Sequence, residues 1–461
     1  MRYPPLTRRQ LLRGAAAGIA TAAASPGAGA AGHAAATRPG GNPLVHSMTQ
    51  PGGDIGPYED GVLPPGVRSR FVANVNGLRM HLLEAGSRAE ARAGVLLLHG
   101  FPELAYSWRR LLPALAEAGY HVMAPDLRGY GRTDGADVGY DDDLRPFRML
   151  NEIRDMLSLV SAFGYREVHL AGHDFGSLVA SWCAVVRPDV FRSVVLMSAP
   201  FGGTAALPFD TADAAPDSGT AGVAAGLPAA AAPVLASEPA SAATDIDADL
   251  AGLNPPRHHY RRFYATRGAN DDLWRAPQGV HDFLRAYYHM KSGDWSGNRP
   301  EPLREWSAAE LARLPRYYVL DLGKGMAETV AEHMPSPAEI AACEWLPDDE
   351  LRVYSTEYER TGFQGGLQWY RSVQSVSSIF GGGINADLQV FAGRTIDQPS
   401  MFIAGARDWG IHQRPGALER MDGQACTDLR GLHLLDGAGH WVQQERSAEV
   451  NRLVLEFLDA L

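Results

Sequence analysis

The sequence of 461 residues predicts an α/β protein with a mostly parallel sheet, helices on both faces and a helical insertion. Three observations support this class. Apolar strand-like runs alternate with helical patterns as far as Phe201, a long helical stretch follows, and strand-like runs then resume. Strands that alternate with helices form parallel sheets through right-handed crossovers. We therefore expect one α/β domain that a helical segment interrupts.

The predicted elements begin with a hairpin over residues 70–86, which consists of two alternating apolar segments about an Asn76-Gly77 turn. Further strands are predicted within segments 93–103, 120–134, 167–177, 191–201, 399–410 and 432–445. Helices are predicted over residues 148–164 and 447–461. The continuous apolar runs, such as AGVLLLHG, are typical of strands that are buried on both faces of a sheet.

Composition divides the rest of the chain. Residues 37–66 are rich in Pro and Gly and are interpreted as a linker. Residues 202–253 consist almost entirely of small and polar residues, so we expect a disordered, low-complexity insert that cannot bury enough surface to become ordered. The domain itself is predicted over 67–201 and 384–461, and the helical insertion, rich in Trp, Tyr and Arg, over 254–383.

The first 36 residues resemble a twin-arginine export signal. The pair Arg8-Arg9 precedes a weakly apolar, alanine-rich stretch, and small-x-small sites such as Ala34-Ala35-Ala36 follow. This pattern predicts export of a bacterial protein to the periplasm or the medium. A disordered basic leader is the alternative interpretation.

Composition also limits the class of partner. A hydrophobic content of 45% and a charged content of 21% are ordinary for a globular protein with a sizeable core. The net charge of −11, with scattered basic residues, argues against nucleic acid or an anionic membrane as partner. Beyond the N-terminal segment we expect no stable membrane insertion, because no apolar run is long enough to span a bilayer. The widely spaced Cys183, Cys343 and Cys426 form neither a metal motif nor a disulfide framework.

The segment Gly172-His173-Asp174-Phe175-Gly176 has the pattern of a nucleophile elbow, a sharp turn between a strand and a helix. In esterases and lipases the central residue of this turn is Ser, whereas here it is Asp174. An esterase is therefore excluded, since Ser177 is too far round the elbow to substitute. A carboxylate can instead attack a saturated carbon and form a covalent alkyl ester.

Two later strands are followed by an acid and a histidine in the chain order that this elbow requires. Asp408 follows the strand in FIAGARDWG, and His440 follows the strand in LLDGAGHWV. His440, oriented by Asp408, would activate the water that cleaves the ester. The backbone N–H groups of Phe101, in the loop HGFPE, and of Phe175 are predicted to form the oxyanion hole. His173 is interpreted as a packing residue that points away from the cleft.

Three motifs together resemble the soluble-type epoxide hydrolases of the α/β-hydrolase superfamily: the segment 99–134, GHDFGS at 172–177 and GAGHWVQQE at 437–445. The resemblance covers about residues 70–201 and 255–461. It implies an α/β-hydrolase fold with a mostly parallel eight-stranded sheet flanked by helices and an inserted helical cap. It also implies that an epoxide is opened to a vicinal diol, with water as co-substrate and with neither a cofactor nor a metal ion. The oligomeric state is left open.

In that family the cap supplies two tyrosines that hold the epoxide oxygen. The motif RTGFQGGLQWYRS at 360–372 places one of them at Tyr370. The other is best matched at Tyr260, in HHYRRFYATRGAND, although this segment departs from the family pattern. Tyr264, Tyr287 and Tyr288 remain alternatives. Two phenols can stabilise the oxygen that leaves the epoxide carbon and give it a proton.

A dehalogenase with the same Asp nucleophile is the main alternative. A halide needs N–H donors, such as a Trp directly after the nucleophile, but Phe101 and Phe175 stand at two of the donor positions. A fluoroacetate-type enzyme would need arginines after the nucleophile, where Phe175 and Leu178 stand. Tryptophans of the helical insertion could still serve a halide, namely Trp295, Trp345 and Trp369. A binding protein without turnover is a second alternative, against which the intact nucleophile, acid, base and oxyanion loop argue.

Overall fold

The computed structural model describes residues 55–205, 246–374 and 386–461. The predicted export signal, residues 37–54 of the predicted linker, residues 206–245 of the low-complexity segment and residues 375–385 lie outside the described residues. The described part contains the strands β1 (Val67–Val75), β2 (Leu78–Ala85), β3 (Gly94–Leu98), β4 (His121–Pro125), β5 (Val168–His173), β6 (Phe191–Met197), β7 (Arg257–His259), β8 (Val319–Asp321), β9 (Ser400–Gly405) and β10 (Leu429–Leu435).

Eight strands form one sheet in the order β1-β2-β4-β3-β5-β6-β9-β10. The pairs β1–β2 and β2–β4 are antiparallel, and the pairs from β4 to β10 are parallel. The hairpin turn has φ values of 49° at Asn76 and 86° at Gly77, as an Asn-Gly turn of type I′ requires. The predicted mostly parallel eight-stranded sheet is thereby confirmed. Because parallel strands share one carboxyl edge, the residues that follow β5, β9 and β10 lie at the same end of the sheet.

The helices of the described residues are α1 (Leu111–Glu117), α2 (Met149–Ala162), α3 (Phe175–Val186), α4 (Ile246–Ala251), α5 (Tyr260–Tyr264), α6 (Ala269–Trp274), α7 (Gly279–Lys291), α8 (Ala308–Leu311), α9 (Met326–Ala331), α10 (Pro337–Ala342), α11 (Asp348–Thr361), α12 (Gln364–Gln374), α13 (Ala417–Met421), α14 (Val442–Glu445) and α15 (Ser447–Asp459), with 3-10 turns at Ala105–Trp108, Arg145–Phe147, Ala386–Phe391 and Trp409–His412. In the described ranges, no helix combines the length and the apolar character that a membrane span needs.

Both faces of the sheet are buried, and β3 shows this directly. Leu96 and Leu98 belong to one apolar cluster, which also contains residues of α2 and α3. Val95 and Leu97 belong to a second cluster, which contains residues of α1 and α15. Successive side chains of a strand point to opposite faces, so a strand with helices on both sides must be apolar throughout. The continuous apolar runs in the sequence have this physical origin.

Helices α4–α12 and the antiparallel pair β7–β8 lie between β6 and β9 and form the cap, residues 246–374. The prediction of a disordered insert over 202–253 is wrong at its C-terminal end, because Ile246–Ala251 is helical. Ile246 and Leu250 are four residues apart, share one face of this helix and are both buried. These two side chains therefore join the short helix to the apolar core.

Candidate active site

The elbow is built by Asp174 and the two glycines around it. Asp174 has φ 53° and ψ −118°, a conformation that L-residues rarely adopt. A Cβ atom at Gly172 would lie 2.1 Å from the carbonyl oxygen of Gly176, and one at Gly176 would lie 2.1 Å from that of Leu98. The glycines therefore let α3 begin directly against β3 and β5. This close packing presents the Asp174 side chain, 19% exposed, at the carboxyl edge of the sheet.

The structure brings Asp408 and His440 to the same edge. His440 Nδ1 donates to Asp408 Oδ2 at 3.0 Å, and Asp408 Oδ1 accepts the N–H of Gly410 at 2.6 Å. Since the carboxylate fixes the proton on Nδ1, Nε2 carries the lone pair. His440 Nε2 lies 3.9 Å from Asp174 Oδ1 and has no hydrogen-bond partner among the residues that the structure describes. It is free to accept a proton from a water molecule beside Asp174.

Burial and charge keep this histidine uncharged. Burial lowers the pKa of His440, and the ammonium of Lys291 lowers it further, against the opposing effect of Asp408. Burial alone would raise the pKa of Asp408, but His440 and the N–H of Gly410 hold it below its usual value. The pair is therefore a neutral imidazole beside a carboxylate, which is the arrangement of a general base.

The loop of His440 rests on a buried ion pair beneath the site. His173 Nε2 donates to the carbonyl of His440 at 2.7 Å, and His173 Nδ1 donates to Glu103 at 2.5 Å. Burial opposes both charges, but His173 lowers the pKa of Glu103 to about 2 and Glu103 raises the pKa of His173. His173 is predicted above to be a packing residue, and its side chain is fully buried. His173 also positions the base. The carboxylate of Glu103 in the HGFPE loop was the one sequence feature that could have indicated this role.

Lys291 is a second residue that the sequence analysis missed. Its carbonyl accepts the N–H of His440 at 2.8 Å, so the end of α7 holds the histidine loop. Its ammonium lies 5.5, 5.2 and 5.2 Å from the ring centroids of Tyr287, Tyr318 and Trp441. Only 5% of the residue is exposed, and within the described ranges no carboxylate lies within salt-bridge distance of it. Aromatic rings thus hold a buried cation near the acid, the nucleophile and the base.

The two N–H groups predicted for the oxyanion hole belong to segments beside the nucleophile. A Cβ atom at Gly100 would lie 2.4 Å from Asp174 Cβ, so the HGFPE loop runs against the nucleophile. Within the described part of the chain, neither the N–H of Phe101 nor that of Phe175 donates a hydrogen bond to another residue. The first N–H groups of a helix have no acceptor inside it, which leaves Phe175 free for a ligand. Both groups are therefore available to a ligand, and the oxyanion hole stays a prediction.

Tyr370 lies over the elbow on α12. Its ring centroid is 4.7 Å from that of Phe175 and 5.3 Å from that of Phe101. The two glycines that precede it in the motif explain this approach, because a Cβ atom at Gly365 would lie 1.8 Å from a core carbonyl and one at Gly366 would lie 2.7 Å from Phe101. Burial raises the pKa of Tyr370 well above its usual value. Its phenol therefore stays protonated at neutral pH.

Tyr260 lies beside Tyr370, with 5.9 Å between the ring centroids. Its hydroxyl donates to Gln413 Oε1 at 3.1 Å and accepts from Nε of Arg261 at 3.2 Å. Burial raises the pKa of Tyr260, and Asp174 adds to this rise. Asp174 raises the pKa of Tyr260, Tyr370 and Tyr287 alike, so this effect does not separate the candidates, and Tyr260 stays the predicted second tyrosine.

The three alternative tyrosines have other partners. The Tyr264 hydroxyl donates to the Tyr287 hydroxyl at 3.4 Å, and the Tyr288 hydroxyl donates to the carbonyl of Pro102 at 3.1 Å. Tyr264 packs against Tyr370 with 4.9 Å between centroids, so it supports the ring of that residue. Their hydrogen bonds make these residues part of the aromatic wall of the site.

Two of the three tryptophans considered as halide donors are engaged elsewhere. Trp369 Nε1 donates to the carbonyl of Arg128 at 3.0 Å, and Trp345 Nε1 donates to Asp294 at 2.8 Å. The side chains of Phe101 and Phe175, at two positions where a dehalogenase would carry donors, have no N–H. Neither these two indoles nor the side chains of Phe101 and Phe175 therefore offer a halide a free N–H.

Comparisons with known proteins agree with this geometry. The alpha/beta hydrolase fold family matches residues 95–263. Epoxide hydrolase A of Mycobacterium tuberculosis is 31% identical over 399 residues, which are 86% of this chain and 99% of that protein. Epoxide hydrolase B of the same organism is 29% identical over 85% of this chain and 98% of that protein.

Solved structures agree as well. An epoxide hydrolase from an endophytic Streptomyces has a TM-score of 0.62 and 30% identity, over 86% of this chain and 96% of that one. Epoxide hydrolase I of potato (Solanum tuberosum) has a TM-score of 0.60 and 27% identity, over 86% of this chain and 100% of that one. With an elbow that carries Asp in place of Ser, and with relatives matched over nearly their whole length, the chain belongs to the epoxide hydrolase family of the α/β-hydrolase superfamily.

Proposed function

We propose that this chain hydrolyses epoxides to vicinal diols through a covalent ester on Asp174. The observation that carries the proposal is the carboxylate at the elbow, 3.9 Å from a His440 Nε2 that has no hydrogen-bond partner in the described part of the chain, with buried phenols nearby. A carboxylate can attack a strained saturated carbon, and the phenols can serve the oxygen that this attack releases. Membership of the epoxide hydrolase family supports the same chemistry.

In the first step, an Asp174 oxygen forms a bond to one oxirane carbon while the carbon–oxygen bond of the ring breaks. The electron pair of that bond goes to the epoxide oxygen, which remains in the substrate. Tyr370 and Tyr260 hydrogen-bond this oxygen, and one of the two phenols supplies its proton. The product of the step is a hydroxyalkyl ester of Asp174.

In the second step, His440 takes a proton from water, and the hydroxide adds to the ester carbonyl carbon of Asp174. The N–H groups of Phe101 and Phe175 stabilise the tetrahedral oxyanion. Collapse expels the second diol oxygen, which takes a proton from the His440 imidazolium. Asp408 stabilises that imidazolium while it exists.

A single turnover in heavy-oxygen water tests the covalent step. The first turnover should give diol with unlabelled oxygen, and the label should enter the Asp174 carboxylate. First-turnover diol that carries solvent oxygen would rule out the ester. The substrate panel should include styrene oxide and haloalkanes, with Asp174→Ala as the inactive control. Halide release without diol formation would refute the proposed function and favour the dehalogenase.

We also propose that residues 1–36 direct export by a twin-arginine route. The basis is Arg8-Arg9 followed by the alanine-rich stretch. Replacement of both arginines by lysine should leave the full-length chain inside bacterial cells that otherwise export it. Export that is unchanged by this pair of substitutions would contradict the proposal.

A further inference from the structure

The two cap phenols of the site differ in their surroundings. The hydroxyl of Tyr260 accepts a hydrogen bond from Nε of Arg261 at 3.2 Å, and the guanidinium carbon lies 5.8 Å from the Tyr260 ring centroid. Arg261 is partly buried, and its charge acts on Tyr260, Tyr370 and Asp174. An arginine stays charged at any pH at which a protein is folded. Tyr260 therefore has a permanent cationic donor on its phenol oxygen.

The surroundings of Tyr370 are aromatic. Four rings surround it with centroids at 4.7–5.9 Å, those of Phe101, Phe175, Tyr260 and Tyr264. Its hydroxyl donates to no described residue and accepts from none. A phenolate at Tyr370 would have no cationic donor in contact with it, whereas a phenolate at Tyr260 would be hydrogen-bonded to Arg261.

We propose that Arg261 is a positioning residue that makes Tyr260 the phenol that gives its proton to the epoxide oxygen, while Tyr370 hydrogen-bonds that oxygen and keeps its own proton. The inference rests on the proposed epoxide hydrolysis and assigns separate roles to the two tyrosines. A charged donor on the phenol oxygen favours the phenolate over the phenol, because charge-assisted hydrogen bonds are the stronger ones.

The protons balance over the two steps. When the epoxide alkylates the Asp174 carboxylate, Tyr260 loses its proton to the epoxide oxygen and becomes a phenolate bound to Arg261. Ester hydrolysis then produces the carboxylic acid of Asp174, which releases one proton. That proton restores the Tyr260 phenol, and the net reaction consumes one epoxide and one water for each diol. In the resting structure the Tyr260 proton is donated to Gln413, so the hydroxyl must turn towards the epoxide when substrate binds.

The other groups around Tyr260 do not replace Arg261. Burial raises the pKa of Tyr260 and Asp174 raises it further, whereas Arg261 lowers it most among the charged groups, ahead of Arg414. Burial likewise raises the pKa of Tyr370, well above its usual value, and Asp174 and the neighbouring phenols raise it further. The titratable and charged groups that face Tyr260 are Arg261, Arg414, Asp174, His259, Tyr264, Tyr318 and Tyr370.

Fluorine NMR of the full chain labelled with 3-fluorotyrosine tests the acidity without substrate. Fluorine lowers the pKa of a phenol and so moves its titration towards the pH range in which the protein is folded. Signals are assigned by their loss in Tyr260→Phe and Tyr370→Phe. The Tyr260 signal should titrate at lower pH than that of Tyr370, and Arg261→Gln should move its midpoint to higher pH. An unchanged midpoint, or a lower midpoint for Tyr370, would overturn the inference.

Single-turnover kinetics with styrene oxide test the consequence for catalysis. Arg261→Gln should slow ester formation roughly tenfold, as expected for the loss of a charged hydrogen bond. In a Tyr260→Phe background the same change should alter the rate less than twofold, because no proton is left to give. Arg261→Lys, which keeps a cation, should recover part of the rate and of the NMR shift. If the double variant slows ester formation by the product of the two single effects, the proposed coupling between Arg261 and Tyr260 is refuted.

The neighbouring Arg262 provides a matched control. Its side chain is 57% exposed and lies 3.6 Å from Asp247, so Arg262→Gln removes an arginine from the same helix without touching the phenol. In this variant the midpoint of the Tyr260 titration and the rate of ester formation should both equal those of the wild-type enzyme. If the wild-type enzyme opens no epoxide, the proposed function fails, whereas the substrate-free titration still decides whether Arg261 acts on Tyr260.

Discussion

Replacement of His440 by Gln should separate the two steps of the reaction. Glutamine cannot take a proton from water, and Nε2 of His440, which has no hydrogen-bond partner among the described residues, lies 3.9 Å from Asp174 Oδ1. Loss of a general base slows a reaction by about 10²–10⁴-fold, which corresponds to roughly 3–5 kcal/mol of activation free energy. Ester formation needs the carboxylate and the phenols and should stay within a few-fold of the wild-type rate.

The variant should therefore accumulate the ester, at close to one substrate molecule per chain. Mass spectrometry of rapidly quenched His440→Gln protein should show this mass increase, while steady-state diol formation almost disappears. Asp174→Ala in the same background should show no adduct. His433→Gln, on the edge strand β10, is the matched control and should leave both steps unchanged. A His440→Gln enzyme that turns over at the wild-type rate, or an adduct that survives loss of Asp174, would refute the reasoning.

Three further substitutions test other parts of the site. Tyr370→Phe should slow ester formation by about 10²-fold with little change in melting temperature, since its hydroxyl bonds no described residue; stopped-flow kinetics and calorimetry measure the two effects. Lys291→Met should raise the pKa of His440 and move the acid limb of the kcat profile to higher pH, whereas Lys291→Arg should retain it. Glu103→Gln should cost roughly 3–5 kcal/mol in urea unfolding at neutral pH, because it leaves His173 buried without its anion. That difference should shrink as pH falls from 4.5 towards 2, where wild-type Glu103 also becomes protonated.

The sheet could be predicted from sequence because each strand carries its own signal. Strands buried on both faces are continuous apolar runs, and the Asn76-Gly77 turn defines the first hairpin locally. The helix Ile246–Ala251 was missed for the opposite reason. Its two buried residues follow a long low-complexity segment, and the average composition of the region conceals them. Burial of that helix depends on the cap surface against which it packs, which a local pattern does not contain.

The residues of the site likewise fall into two groups, those that sequence motifs predict and those that only the fold reveals. Asp174, Asp408 and His440 each follow a strand in a recognisable local motif, so their meeting at one edge follows from the parallel sheet. Arg261, Lys291 and Glu103 acquire their roles only through contacts. Glu103 lies 70 residues before His173. The rings around Lys291 come from two parts of the cap, Tyr287 and Tyr318, and from Trp441 of the His440 loop. Charged residues inside a helical or loop pattern look like surface residues until the fold buries them.

The charges around the site also explain why the second step follows the first. In the resting enzyme the carboxylate of Asp174 raises the pKa of both His440 and Tyr260. Formation of the ester removes that negative charge, so both pKa values must fall. A lower pKa keeps His440 neutral and ready to take the proton of water, and it allows Tyr260 to persist as a phenolate beside Arg261. Alkylation of the nucleophile therefore favours, through the electric field alone, a neutral His440 as the base for ester hydrolysis and a Tyr260 phenolate that later accepts the proton of the Asp174 carboxylic acid.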